Sequence, residues 1–331
     1  MRSIFAWCLV LLLPVGMSCS ALHKKHYPQK EPTAETSDLT TIETKRALYE
    51  QTLVRMALPF DGWIAQTCDA LLFSSLFGAA EQYPDRFKVD DAVGDKPGLW
   101  LRRPKSVGLC YDPSLPAGSP QNSQATISKD MLLGLTYYAW RANRKDILQN
   151  LVTYGEAHAW VMGQPESNVG AVVVTPSLAG VMYQALYRLG GPDHPSRHIP
   201  DIFPSGLTGF EAHLQVTSIL LHSEIDDEAG ISQDMLDRLK EHATREPQNP
   251  YYASALAVFT GDDTAAVKLL MDKVQWPDDR LPDGGDHCEP WVIQRDGPND
   301  WNPCKTQPIG TFWGADYVWT VDILTRPRRV P

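Results

Sequence analysis

Strand-like alternation is almost missing from this chain. Only Ala171–Thr175 reads as a short β-type run, so helices must build the core. Basic charge is also in short supply. Thirty Lys and Arg face 40 Asp and Glu, and the net charge of -10 argues against nucleic acid as a partner. No CxxC pair occurs, which speaks against a zinc ribbon or a thioredoxin-type centre. The GxSxG, P-loop, GxGxxG and HExxH patterns are absent, and with them the chemistries they carry. His194 and His198 have helical spacing, but Pro195 between them opposes a metal pair on one helix face. Asp283-Gly284-Gly285-Asp286-His287 has calcium-type oxygen donors without the full EF-hand spacing. No cofactor or metal is expected.

Long apolar runs are confined to the start. Met1-Arg2-Ser3 precedes an apolar stretch from Ile4 to Val15, the layout of a secretory signal and too short for a stable membrane span. Two processing routes fit. Cys19-Ser20-Ala21 offers a small-x-small cleavage site. Gly16-Met17-Ser18-Cys19 resembles a lipobox, which would make Cys19 a lipidated, membrane-anchoring N-terminus. The chain is therefore expected in the periplasm, on the outer membrane as a lipoprotein, or secreted. Of six cysteines, Cys8 and Cys19 lie in this region. The remaining Cys68, Cys110, Cys288 and Cys304 suggest two disulfides; short loop closure favours Cys288–Cys304 and leaves Cys68–Cys110, with free buried thiols as the alternative.

Residues 22–41 are polar, with Pro28 and Pro32, and read as a flexible tether. Residues 42–331 read as a single domain able to bury a sizeable core. Its helical patterns are Ile42–Ala57, Gly62–Phe77, Ser128–Arg144, Lys145–Val161, Pro176–Leu189, Gly209–Ser223, Ser232–Glu246, Tyr251–Phe259, Thr264–Val274 and Ala315–Thr325. Ser128, Ser232 and Asp262-Asp263 supply cap signals. Two long loops, Glu81–Ser123 and Pro277–Gly314, carry tryptophans, and loops of that length in a compact domain are usually functional. Many antiparallel helices without a strict repeat favour an all-α fold, specifically an α/α toroid of antiparallel helix pairs, over a solenoid.

Two helices stand back to back from Ser123 to Gly163, each with a carboxylate beside aromatics. Asp130 follows the Ser128 cap; it is either a favourable N-terminal charge or a catalytic or substrate-binding carboxylate at a rim. Glu156 lies beside Val152, Ala159 and Trp160, a largely apolar face, and is either a solvated helix charge or a catalytic group. Asp69 is the sharpest candidate, because Ala65, Leu72, Phe73 and Leu76 surround it at helical spacing. Burial there would raise its pKa, as a general acid needs, unless it is a structural carboxylate. Asp61 beside Trp63 is a helix cap or a substrate ligand, and Asp316 near Trp319 is a helix-start charge or a catalytic carboxylate. Trp100 with Arg102 and Arg103 could hold a hydroxyl-rich or acidic glycan, or salt-bridge the acidic surface. Trp301 and Trp313 flank Cys304 and either present a stacking platform or plug the core.

The arrangement Cys68-Asp69-Ala70-Leu71-Leu72-Phe73, then Leu99-Trp100-Leu101-Arg102-Arg103-Pro104, then Thr126-Ile127-Ser128-Lys129-Asp130-Met131, resembles a group of exported bacterial proteins with α/α-toroid folds. More loosely, it resembles the toroidal glycoside hydrolases and polysaccharide lyases. The similarity spans about Thr40 to Thr325, with Lys129 standing where the resembled pattern has arginine. The resemblance implies a polysaccharide or oligosaccharide substrate cleaved by an acid/base carboxylate pair. Asp69 and Asp130 would lead that pair, with Glu156 and Asp316 next, while Asp61, Trp63, Trp100, Arg102, Arg103, Lys129, Trp301 and Trp313 would line the cleft. Two alternatives stay open. A polysaccharide lyase would use Tyr137, Tyr138 or His158 as the base, and a non-catalytic envelope lipoprotein would bind a glycan or a protein.

Overall fold

The computed structural model describes residues 36–56, 75, 89–101, 127–162, 172–197, 204–226, 231–273, 276 and 315–325. Within these the chain is mostly helical, and the all-α expectation holds. In chain order the helices are α1 (Thr36–Met56), α2 (Lys129–Arg141), α3 (Lys145–Ala157), α4 (Pro176–Arg188), α5 (Gly209–Ile225), α6 (Gln233–Arg245), α7 (Pro250–Thr260), α8 (Thr264–Leu270) and α9 (Ala315–Thr325). The strand pair β1 (Val161–Met162) and β2 (Val172–Val173) is antiparallel, with Val161 opposite Val173.

Three of these helices end in the same way. Past α2, the Arg144 N–H bonds the Ala139 carbonyl and the Asn143 N–H bonds the Trp140 carbonyl, with Asn143 left-handed at φ 55. Past α4, Gly191 reaches Leu186 and Gly190 reaches Tyr187, with Gly190 at φ 76. Past α3, the Trp160 N–H reaches the Gly155 carbonyl at 2.7 Å, with Ala159 at φ 51. This is the six-to-one Schellman closure, which satisfies the orphan carbonyls and reverses the chain. It also corrects two expected boundaries: α2 stops at Arg141 rather than Arg144, and α3 at Ala157 rather than Val161, freeing Val161 for β1. At the N-terminal ends, Thr175, Ser232 and Asn249 accept backbone N–H bonds as caps, whereas the expected Ser128 cap has extended backbone but no side-chain cap bond.

Burial sorts the helices into two layers. In α2 every residue from Asp130 to Ala139 is buried, and in α4 every residue from Leu178 to Leu186. α5 is buried continuously from Ala212 to Ser223. By contrast, α6 buries only Met235, Leu239 and His242, the single stripe of a helix packed on an outer surface. α3 is likewise one-sided, burying Ile147, Leu148, Leu151, Val152, Tyr154 and Gly155.

Side-chain pairs give the helix directions. Lys129 meets Glu211 at the starts of α2 and α5, and Tyr137 meets Glu224 further along both, so these two helices run parallel. Arg188 and Asp226 join the ends of α4 and α5, so α4 runs with them. Arg245, at the end of α6, bonds the Leu207 carbonyl just before α5, so α6 runs opposite. α7 follows and starts beside α5, where the Tyr251 hydroxyl lies 2.6 Å from that of Thr217. The starts of α2, α5 and α7 therefore gather at one end of the inner layer.

The first and last helices also pack together. Arg46 of α1 grips Asp322 of α9 with two bonds of 2.6 and 3.1 Å. Lys45 bonds the Trp276 carbonyl, and Tyr317 packs between Tyr49 and Trp276. The expected tether to residue 41 is thus too long, since Thr36–Thr41 is already helical.

Candidate functional site

Asp130 sits in the first turn of α2 and is only 3 % exposed. The helix N-terminus favours a negative charge there. Beside it, Lys129 turns outward to Glu211 at 3.1 Å and is committed to that ion pair. At helical spacing, Asp130 shares a face with Gly134 and Tyr137. Tyr137 donates to Glu224 on α5 at 2.6 Å and meets Trp319 of α9 edge-on at 6.4 Å. Asp130 thus occupies the stripe of α2 that looks into the inner layer.

The facing stripe of α5 carries His213, Thr217 and Glu224, spaced to share a side of that helix. His213 is fully buried, tilts against the Tyr251 ring at 5.5 Å, and has no partner for either ring nitrogen among the described residues. Burial pushes its pKa down to about 3. On the outer side of α5, His242 lies 2.7 Å from the Gln215 amide oxygen, and burial pushes its pKa down to about 4. Sequence reasoning missed His213. The available signal was a lone titratable side chain inside an otherwise apolar helix.

Glu156 is in a different place. It lies on α3, is exposed, and accepts a 2.8 Å bond from the Tyr183 hydroxyl of α4. Burial, and then the Glu156 carboxylate, raise the Tyr183 pKa and keep the phenol neutral. The Tyr183 ring is stacked by His194 at 3.9 Å and 6°, and met edge-on by Trp160 at 5.4 Å. Glu156 is exposed near the end of α3, whereas Asp130 is buried in the first turn of α2, so the two carboxylates stand in different surroundings.

Trp100 departs from expectation. It is 2 % exposed, bridged to Val93 and part of the core, so it offers no open stacking face. The turn carrying it docks where Gly98, at φ 83, meets Asn150 and Tyr154 so closely that a Cβ would lie 2.2 Å from the Asn150 carbonyl oxygen. Asp316 falls in the first turn of α9, as expected from its spacing. Tyr137 and Tyr138 are buried, and Nδ1 of His158 is bonded to the Tyr154 carbonyl at 2.8 Å. Cys19, Asp61, Trp63, Asp69, Arg102, Arg103, Trp301, Trp313 and the cysteines Cys68, Cys110, Cys288 and Cys304 lie outside the described residues.

Among the described residues no cluster of three or more His, Cys, Asp or Glu is arranged to hold a metal ion, and no helix is long and apolar enough to cross a membrane. Comparison with protein-family models, with curated proteins and with solved structures yields no match.

Proposed function

We propose that the chain is an exported α/α-toroid enzyme that hydrolyses glycosidic bonds of a polysaccharide or oligosaccharide, with Asp130 as one of its acid/base carboxylates. The observation that carries this is a buried carboxylate in the first turn of an inner helix, at the end where α2, α5 and α7 all begin. A carboxylate withdrawn from water and aimed into the inner layer is suited to proton transfer at a leaving oxygen. The two-layer arrangement, with parallel inner helices and an oppositely running α6 outside, is what a toroid of helix pairs requires. Asp69 is the proposed second carboxylate. His213, neutral in its buried position, can accept or donate a hydrogen bond without adding charge to the same inner face.

The test is turnover of neutral and acidic glycans by residues 22–331, followed by reducing ends and by absorbance of unsaturated uronides. Hydrolysis predicts reducing ends without absorbance. Asp130→Asn and Asp69→Asn should each lower the rate at least roughly 100-fold while the far-ultraviolet circular dichroism is unchanged. Absorbance would move the assignment to a lyase. An undiminished rate in Asp130→Asn would remove that residue from catalysis.

A further inference from the structure

The end of α3 presents an unused set of polar groups around an aromatic surface. One oxygen of Glu156 accepts the hydrogen bond of the Tyr183 hydroxyl; the other has no partner among the described residues and the side chain is exposed. His194 stacks flat on Tyr183, and its Nδ1 accepts the Ser196 N–H at 3.1 Å. That bond assigns the proton of the neutral ring to Nε2, which is left as a donor. A carboxylate acceptor and an imidazole donor therefore flank the same tyrosine.

Trp160 completes the set, and the backbone goes to some lengths to place it. Ala159 and Trp160 are both left-handed, at φ 51 and 60. A left-handed backbone is unfavourable for any residue but glycine, because the Cβ crowds the following carbonyl oxygen. The turn lays the indole over Gly155, where a Cβ would approach the six-membered ring to 2.6 Å. The indole meets Tyr183 in a T-shaped contact at 5.4 Å and stays partly exposed. Paired donor and acceptor groups beside an indole match a sugar ring, whose neighbouring hydroxyls both donate and accept while its C–H face is apolar.

We propose that Glu156, His194 and Trp160 form a saccharide-binding subsite at the end of α3, separate from Asp130, which takes two neighbouring hydroxyls of a neutral sugar. The subsite binds without cleaving, and it stands whether or not Asp130 is catalytic.

Isothermal titration calorimetry of residues 22–331 with cellotetraose, maltotetraose and tetramethylammonium tests it. Each titration is run on the unmodified chain and on Asp130→Asn, so that failure of hydrolysis is read separately from failure of binding. At least one tetrasaccharide should bind at millimolar concentration or better, with affinity in Asp130→Asn within about twofold. Glu156→Gln and Trp160→Ala should each weaken binding at least about tenfold, as expected when a charge-assisted bond or a stacking ring is lost. Glu156→Gln keeps an oxygen for Tyr183 and should leave the thermal midpoint unchanged, so its loss of binding is not a loss of fold. Binding of neither sugar, binding of tetramethylammonium alone, or unchanged affinity in Glu156→Gln overturns the proposal.

Discussion

Two histidines make the acid limb of stability predictable at the level of single side chains. His213 and His242 are buried and neutral, with pKa values pushed down to about 3 and about 4. In the unfolded chain each returns to about 6.5, so between these values the unfolded state binds more protons and stability falls as pH falls. At pH 5 each histidine should have removed about 2 kcal/mol relative to pH 8, by 1.36 kcal/mol per pH unit. Urea denaturation at pH 8 and pH 5 checks this. His213→Leu should shrink the difference by about half, because one of the two protonation sites is gone. The same residue shows where sequence reading runs out. Asp130 was legible because its position after Ser128 gave it a helix-start context. His213 lies in Phe210-Glu211-Ala212-His213-Leu214-Gln215-Val216, where nothing in the spacing says which helix will cover it.

Helix ends are the next scale. At the left-handed position of the closing turn, α4 has Gly190 and α2 has Asn143, both suited to it, but α3 has Ala159. Ala159→Gly should therefore stabilise the protein by about 0.5–1 kcal/mol, the relief of strain less glycine's extra unfolded-state entropy. A rise of a few degrees in Tm is the measurement. Gly155→Ala acts in the opposite sense. The new methyl would meet the Trp160 ring, and a loss of about 1–3 kcal/mol is expected from the displaced indole. Helix existence was readable from periodicity, clearest in α6 with its Met235, Leu239, His242 stripe. The ends of α2 and α3 were not, since Asn143 and Ala159 do not carry the glycine that usually marks such a turn. Trp100 was misplaced for a related reason: the tight docking at Gly98 that buries it depends on α3, a separate element far along the chain.

For the molecule as a whole, the contact between α1 and α9 matters most. Arg46 and Asp322 are 276 positions apart and joined by two bonds, while Tyr49, Trp276 and Tyr317 pack beside them. Removing residues up to 56 should strip the cover from Tyr317 and Trp276 and abolish a cooperative thermal transition measured by circular dichroism. A double-mutant cycle on Arg46→Ala and Asp322→Ala should give a coupling of about 1 kcal/mol, modest because both side chains are partly solvated.

The same contact sets an order of events in time. Its two helices lie at opposite ends of the described chain, so the entropy of closing nearly the whole chain must be overcome before they reward each other. The Arg46–Asp322 bonds then belong to the last stage of folding. Substituting Arg46 should hasten unfolding and leave the refolding rate almost untouched. During synthesis α1 emerges long before Ala315–Thr325 exists, so Ile42 and Tyr49 lack their Tyr317 contacts until α9 arrives.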